Sequence, residues 1–207
     1  MRGLDPLDNQ EVRCLPETLQ EKMFGKDDNF LFGRLGVHGD GTCFFHSLCA
    51  ALNVNDYLHK GHREQQQIGH DYRCDFTKYI TRERWDRFKQ KHDIKDTLSL
   101  DEVKEHFCNN KHWADETMIK FVSDTLKLNI IFIDTDKHKV YCGVRGHKHE
   151  PLVVVLWLDH SHFEPMFRFV DEQLDQRKLQ VQFKFDMSKD KDVIDTLMST
   201  YSSQCGV

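Results

Sequence analysis

The sequence lacks the features that mark secreted, membrane-spanning or disulfide-framed proteins. Its 7 cysteines are an odd number without framework spacing, and neither a Cys-x-x-Cys pair nor an Asn-x-Ser/Thr acceptor occurs. Residues Met1 to Pro6 form no apolar signal core, and the longest strongly apolar run, Leu152 to Leu158, is far too short to span a bilayer. We therefore expect a soluble protein with reduced thiols in the cytoplasm or the nucleus, and not a secreted one.

A basic cluster is also missing. The 34 Asp and Glu outnumber the 29 Lys and Arg, and the formal net charge is -5, so we predict no nucleic-acid partner and no membrane partner. What the sequence does contain is apolar bulk, because 39% of its residues are hydrophobic and 15 are Phe. This composition predicts a folded core, and a length of 207 residues fits one main domain. We predict that the protein is a monomer.

The hydrophobic pattern is helical up to about residue 128 and strand-like after it. Residues 1–30 predict an N-terminal lead-in on the surface with a short helix over 16–24, residues 31–170 the main domain, and 171–207 a C-terminal extension packed on that domain. Strands are predicted at 129–134, 139–143, 151–158, 165–169 and 179–185, with a last helix at 193–198. Helices followed by strands predict an α+β fold in which one helix packs against a small sheet.

Cys43 lies where a glycine-containing loop turns into an apolar helix. Gly39, Asp40 and Gly41 precede it, and the run 44–52 that follows is apolar on nearly every side, which predicts a buried helix. Unpaired amides at a helix start and the positive end of the helix dipole stabilise a thiolate, so we expect a lowered pKa for Cys43. The same amides could hold a developing oxyanion. The position is therefore typical of a nucleophile.

A base for this thiol is available in His162, which follows a predicted strand in the turn 159–162. Glu164 comes two residues later, and residues i and i+2 of an extended segment project to the same face. His162 and Glu164 could therefore form an imidazole–carboxylate pair, which is the arrangement that orients a general base beside a nucleophile.

Three motifs in order resemble the ovarian-tumour (OTU) family of cysteine proteases. The Asp-Gly-x-Cys loop and its helix match Asp40 to Leu48, and the tryptophan with small and acidic residues matches Trp113 to Glu116 before the strand at Ile130-Ile131. The apolar strand that ends at a histidine and an aromatic matches Leu156 to Glu164. The resemblance spans about Gly33 to Phe169 and implies a papain-type fold, with the catalytic helix on a small, mainly antiparallel sheet flanked by helices.

The resemblance implies roles for individual residues. Cys43 would be the nucleophile, His162 the general base, and the backbone amides of Asp40, Gly41 and Cys43 the oxyanion site. The group that orients the histidine often lies two residues after it in the family and is usually Asp or Asn. Glu164, one methylene longer, stands there in this chain, so the role falls to Glu164, to Asp40 or to an acid elsewhere.

The activity implied by the resemblance is that of a deubiquitinase. A Cys-His-acid triad would hydrolyse the bond between lysine and ubiquitin or a ubiquitin-like modifier, with ubiquitin and its conjugates as partners and with no cofactor and no metal. Two alternatives stay open: a catalytically impaired module that binds ubiquitin, and an interaction platform that uses the charged helices of 61–90.

Several other residues are predicted to have structural roles. His160 is a rival for the base, but the aromatic and the acid follow His162 in the family's order. His46 is interpreted as a packing residue and Trp113 as a core anchor.

Two clusters of potential metal ligands lack the paired spacing of a closed zinc site. They are His106, Cys108 and His112, and His147 and His149. Core packing is also predicted for Cys49, Cys74, Cys108 and Cys142. The loop 39–41 lacks the lysine of a phosphate-binding loop.

Overall fold

The computed structural model describes residues 4–24, 31–95, 97–137, 139–144, 151–159, 161–169, 181–186 and 189–191. The helices in these ranges are α1 (Glu17–Phe24), α2 (Cys43–Leu52), α3 (His62–Asp75), α4 (Arg82–His92), α5 (Leu100–Cys108) and α6 (Glu116–Leu126). The strands are β1 (Val12–Cys14), β2 (Phe32–Leu35), β3 (Asn129–Asp134), β4 (Lys139–Val144), β5 (Leu152–Leu158), β6 (His162–Phe169), β7 (Val181–Gln182) and β8 (Lys184–Phe185). Short 3-10 turns follow α2 and α3. The predicted α+β class is confirmed.

The starts of two helices follow capping signals in the sequence. α5 begins after Ser99, whose hydroxyl accepts a hydrogen bond from the Glu102 amide while the Glu102 carboxylate accepts one from the Ser99 amide. α6 begins after Asp115, whose carboxylate accepts a hydrogen bond from the Met118 amide. These side chains satisfy amides that the first helical turn leaves without a backbone partner.

One sheet runs through the described residues in the order β1-β2-β6-β5-β3-β4. β3 and β5 are parallel, and the remaining pairs are antiparallel, including β7 with β6 and β8 with β5. The mainly antiparallel sheet is therefore confirmed. β6 lies near the centre of the sheet and begins at His162, which is the last residue of the predicted turn and lies three residues before the predicted strand. The predicted helix at 193–198 lies outside the described residues.

The N-terminal segment adds a strand to the sheet, which the prediction of a surface lead-in over residues 1–30 does not include. β1 pairs antiparallel with β2, and Leu15 and Leu19 are buried against one face of the sheet. Leu7 is also buried. The segment has few apolar residues, so its composition does not indicate a strand. Without β1, the edge of β2 would leave backbone N–H and C=O groups unpaired, and β1 forms hydrogen bonds with them. The predicted helix over 16–24 is present as α1.

The sheet separates two apolar clusters, and β5 contributes to both. Val153 and Val155 face the cluster that contains α2 and the other helices, whereas Leu152, Val154 and Leu156 face the cluster under α1. Strand side chains alternate between faces, so a continuously apolar strand is what a sheet covered on both sides requires. No helix in the described ranges has the length and apolar character needed to cross a membrane.

The buried helix predicted after the glycine loop is α2, in which every residue from Cys43 to Ala51 is buried. Its position over β6 is fixed by Ser47, whose hydroxyl lies 3.1 Å from the carbonyl oxygen of Phe163 and 2.9 Å from that of Cys43. Phe163 follows His162 in β6, so one serine ties the start of α2 to the strand that carries the histidine. The fold thereby brings together two residues that are far apart in the sequence.

A disulfide joins Cys74 of α3 to Cys108 at the end of α5. The prediction that these two residues are packed, reduced thiols is therefore wrong. The two helices are separated by α4 in the chain, and only their tertiary packing brings the sulfurs together. Among the described residues the free cysteines are Cys14, Cys43 and Cys49.

Candidate active site

Cys43 is the first residue of α2, and its side chain is buried. Thr42 precedes it without a side-chain hydrogen bond to the helix, so the first amides remain open to other acceptors. The nearby backbone amides of Phe163, Phe44 and Cys43 favour the thiolate. Burial nevertheless raises the pKa of the Cys43 thiol to about 11, because it disfavours the thiolate more strongly than these amides favour it. The expected lowering of this pKa was therefore wrong for the free protein.

The loop before Cys43 is shaped by Gly41 and Asp40. Gly41 has a φ of +82°, and a Cβ on it would overlap the carbonyl oxygen of Asn110, so only glycine fits. The Asp40 carboxylate accepts a hydrogen bond from the Thr42 amide at 3.0 Å through Oδ1. Its other oxygen lies 3.2 Å from Nε2 of His46. Asp40 thus bonds to its own loop and to α2.

His162 faces the same cleft as Cys43 from the first position of β6. Its ring packs over Gly39, where a Cβ would lie 3.8 Å from Nδ1. Burial lowers the pKa of His162 to about 4, assisted by the positive charges of His46 and Arg34. Within the described part of the chain, His162 Nε2 is buried and has no hydrogen-bond partner.

Glu164 lies on the same face of β6 as His162, as the period of a strand predicts. Its Oε1 is 3.8 Å from Nε2 of His162, which is beyond hydrogen-bond distance. The same oxygen accepts a hydrogen bond from the Leu7 amide at 2.7 Å, and Oε2 accepts one from Arg34 at 3.0 Å. Burial raises the pKa of Glu164, although the Leu7 amide and Arg34 oppose this effect. Two donors other than the histidine therefore hold this carboxylate.

His46 has hydrogen-bond partners that the sequence does not indicate. This residue packs in the core as predicted, but it also forms a hydrogen-bonded chain with Asp40 and with the hydroxyl of Tyr57, which lies 3.0 Å from its Nδ1. Gly69 packs against the His46 ring so closely that no side chain could stand there. Asp40, the second candidate for orienting the base, is thus hydrogen-bonded to His46 rather than to His162. The spacing of Asp40 and His46 gives no signal of this pairing.

Trp113 is not the core anchor that the sequence analysis predicted. Its side chain is 58% exposed and lines an open cleft of about 330 Å³ together with Cys43 and His162. The remaining lining residues are Pro6, Leu7, Val37, Gly39, Gly41 and Ser161. Trp113 is exposed because it precedes α6 in a loop at the rim of the cleft. The rival base His160 lies outside the described residues.

One group of metal-ligating side chains occurs within the described ranges. The donor atoms of His70, Cys74 and Cys108 lie within 4.8 Å of one another. The two sulfurs are joined to each other, which leaves neither as a thiolate ligand. His147 and His149 lie outside the described residues, and the rings of His106 and His112 stack at 4.4 Å.

A thiol at a helix start and an imidazole on an adjacent strand, both on one cleft, are typical of cysteine proteases. The sequence model of a family described as OTU-like cysteine proteases matches residues 38–164, more than half of the chain, and this range includes Cys43, His162 and Glu164. The chain belongs to the family of OTU-like cysteine proteases. No match was found among curated proteins.

Solved structures of OTU domains share the fold. An ovarian tumour domain solved in complex with ubiquitin superposes with a TM-score of 0.56 at 14% identity, covering 86% of this chain and 89% of that one. The OTU domain of OTUD1 superposes with a TM-score of 0.52 at 15% identity, covering 72% of this chain and 93% of that one. At such identities the similarity establishes the fold and leaves the chemistry to be argued from the site.

Proposed function

We propose that this protein is a thiol-dependent ubiquitinyl hydrolase that cleaves ubiquitin or a ubiquitin-like modifier from lysine. The observation that carries this proposal is the cleft that Cys43 and His162 share within the family match. The solved OTU domain with ubiquitin bound supports ubiquitin as the partner. Cys43 is the proposed nucleophile, His162 the proposed general base, and the amides of Asp40, Gly41 and Cys43 the proposed oxyanion site.

The mechanism starts from a neutral pair. With a thiol pKa of about 11 and an imidazole pKa of about 4, both groups are uncharged near neutral pH. His162 takes the thiol proton while the sulfur attacks the carbonyl carbon of the terminal glycine, and the carbonyl becomes an oxyanion. The imidazolium then protonates the lysine nitrogen as the C–N bond breaks, leaving a thioester. Water, deprotonated by His162, attacks the thioester and releases the carboxylate and the thiol.

Glu164 has its proposed role at the imidazolium stage. The positive charge that appears on His162 attracts the Glu164 carboxylate, whose nearer oxygen starts 3.8 Å from Nε2. A shift of less than about 1 Å brings the two atoms to hydrogen-bond distance. Free enzymes often hold such contacts loosely and tighten them when substrate binds. Glu164 is therefore proposed as the orienting acid in preference to Asp40.

The alternative function is a module that binds ubiquitin without cleaving it. One observation favours it, namely that Arg34 and the Leu7 amide already occupy the Glu164 carboxylate and leave His162 Nε2 without a partner among the described residues. A base that is held poorly would lower the rate of every proton transfer.

An electrophilic ubiquitin probe distinguishes these functions. We expect the wild type to form a covalent adduct with ubiquitin vinyl sulfone at Cys43, located by peptide mass spectrometry, and to release a fluorophore from a ubiquitin amide substrate. The matched control is Cys49→Ala, which changes a buried thiol on the same helix. Tight binding of ubiquitin with neither adduct nor turnover would establish the alternative, and the absence of all three would exclude both functions.

A further inference from the structure

Arg73 is a fully buried arginine at the end of α3 that uses its guanidinium on backbone carbonyls. It donates hydrogen bonds to five carbonyl oxygens, those of Gly41, His106, Phe107, Asn109 and His112. Among the described residues no carboxylate forms an ion pair with it, and the ring of Phe45 packs at 5.5 Å from the guanidinium carbon. A buried charge without a counter-charge is costly, so these carbonyl dipoles must compensate for its lost hydration.

One of these bonds reaches the loop before the nucleophile. The carbonyl oxygen of Gly41 lies 2.8 Å from Nη1 of Arg73, and the amide on the other side of the same peptide group, that of Thr42, donates to Asp40. Asp40 and Arg73 therefore fix the Gly41–Thr42 peptide plane from both edges. The orientation of this plane determines where the neighbouring amides of Gly41 and Cys43 point.

The other bonds reach the segment on which that loop rests. Asn109 and His112 accept from Nη2 of Arg73, and Asn110 between them packs against Gly41 so closely that a Cβ would not fit. Trp113, at the rim of the cleft, follows His112 directly. One guanidinium thus holds both the loop that carries the oxyanion amides and the segment that supports it.

We propose that Arg73 is a positioning residue for the oxyanion site. It acts through the Gly41 carbonyl and the 106–112 segment and does not touch substrate. Lysine carries the same charge but offers three donors from a single nitrogen, so it cannot span carbonyls on both sides as the planar guanidinium does. This inference rests on the proposed hydrolase function for its kinetic test and on geometry alone for its structural test.

The kinetic test compares Arg73→Lys with Arg84→Lys. Arg84 is a partly buried arginine that contacts Tyr79 and Thr125, away from the cleft. Loss of one oxyanion donor costs about 10²- to 10³-fold in kcat, and a misdirected donor should cost roughly 10- to 100-fold. We expect this loss in Arg73→Lys with KM for the ubiquitin amide nearly unchanged, and a matching weakening of inhibition by ubiquitin aldehyde, whose adduct carries the tetrahedral oxygen. Arg84→Lys should leave kcat, KM and the inhibition by ubiquitin aldehyde unchanged.

Unchanged kcat and unchanged aldehyde inhibition in a folded Arg73→Lys protein would overturn the proposal, as would a loss confined to KM.

A structural test on the wild type needs neither activity nor a folded variant. The amides of Thr42, Asn109 and His112 are hydrogen-bonded on the two sides of the guanidinium. If one clamp holds both sides, hydrogen exchange at these three amides should follow the same opening free energy. Independent opening of Thr42 would overturn the clamp, whereas an absence of wild-type turnover would overturn only the hydrolase function.

Discussion

Two acid–histidine pairs contribute to the elements around Cys43, one with its acid in the loop before Cys43 and one with its acid in β6, and they differ in what else binds the acid. Asp40 lies 3.2 Å from His46 and accepts one further hydrogen bond from its own loop. Glu164 lies 3.8 Å from His162 and is held by Arg34 and by the Leu7 amide. The Asp40–His46 pair is within hydrogen-bond distance and supports the loop. The Glu164–His162 pair is not, and its histidine lines the cleft. Proximity of an acid to a histidine therefore does not identify the orienting group of a nucleophilic site.

The difference follows from side-chain length and neighbourhood. An acid one methylene longer than the usual Asp extends far enough to meet Arg34, itself a buried residue of β2. An unpaired buried charge costs several kcal/mol, so Arg34 and Glu164 stabilise each other before either contributes to catalysis. The pair at the cleft is open because the fold uses the same carboxylate to neutralise Arg34.

The largest effect is expected from removing the reacting groups. Cys43→Ala and His162→Ala should each lower kcat at least about 10³-fold, because the first lacks the proposed nucleophile and the second lacks the proposed base. Cys43→Ala should still bind ubiquitin, measured by titration calorimetry, because the cleft is otherwise unchanged. Turnover that persists in Cys43→Ala would disprove the nucleophile assignment.

The next effect decides between the two pairs. If Glu164 orients His162, Glu164→Gln should lower kcat roughly 10- to 100-fold, a part of what a general base provides, while Asp40→Asn should cost less. The measurement is kcat with the ubiquitin amide, made at a temperature at which circular dichroism shows each variant folded. A larger loss in Asp40→Asn than in Glu164→Gln would move the orienting role to Asp40.

Much of this site could be predicted from local rules in the sequence. The glycine loop and apolar run place Cys43 at a helix start, and the period of a strand places His162 and Glu164 on one face. What could not be predicted depends on contacts between distant residues. Leu7 and Arg34 are 157 and 130 residues from Glu164, and no spacing rule links them. The disulfide, the exposure of Trp113 and the carbonyls around Arg73 depend equally on tertiary packing.

A smaller effect concerns how the stability of the protein depends on pH. It involves two buried histidines, His38 near Asp40 and His162 in the cleft. Burial lowers the pKa of His38 to about 4, as it does for His162. The unfolded chain binds protons near a pKa of about 6.5, so the stability is fully present above that pH and is lost as the pH falls toward 4.

Denaturant unfolding measured between about pH 7 and pH 4 checks this prediction. His38→Gln should show a shallower decrease of the unfolding free energy with falling pH than the wild type. His59, which is exposed, provides the matched control, and His59→Gln should run parallel to the wild type. Equal slopes for the wild type and His38→Gln would show that folding does not lower the pKa of His38.

The smallest expected effect is on kcat/KM, and its independence of pH tests whether the Cys43 thiol and the His162 imidazole are both uncharged in the free protein. A thiol with a pKa of about 11 beside an imidazole with a pKa of about 4 gains reactivity only as the thiolate fraction grows. Alkylation of Cys43 by iodoacetamide, followed on its own peptide by mass spectrometry, should therefore rise about tenfold per pH unit between about pH 6 and pH 9. Over the same range kcat/KM should stay flat, because His162 removes the proton within the reaction. A thiolate–imidazolium pair would reverse this result: alkylation would be independent of pH, and the Glu164 carboxylate would already be drawn to a charged ring in the free protein.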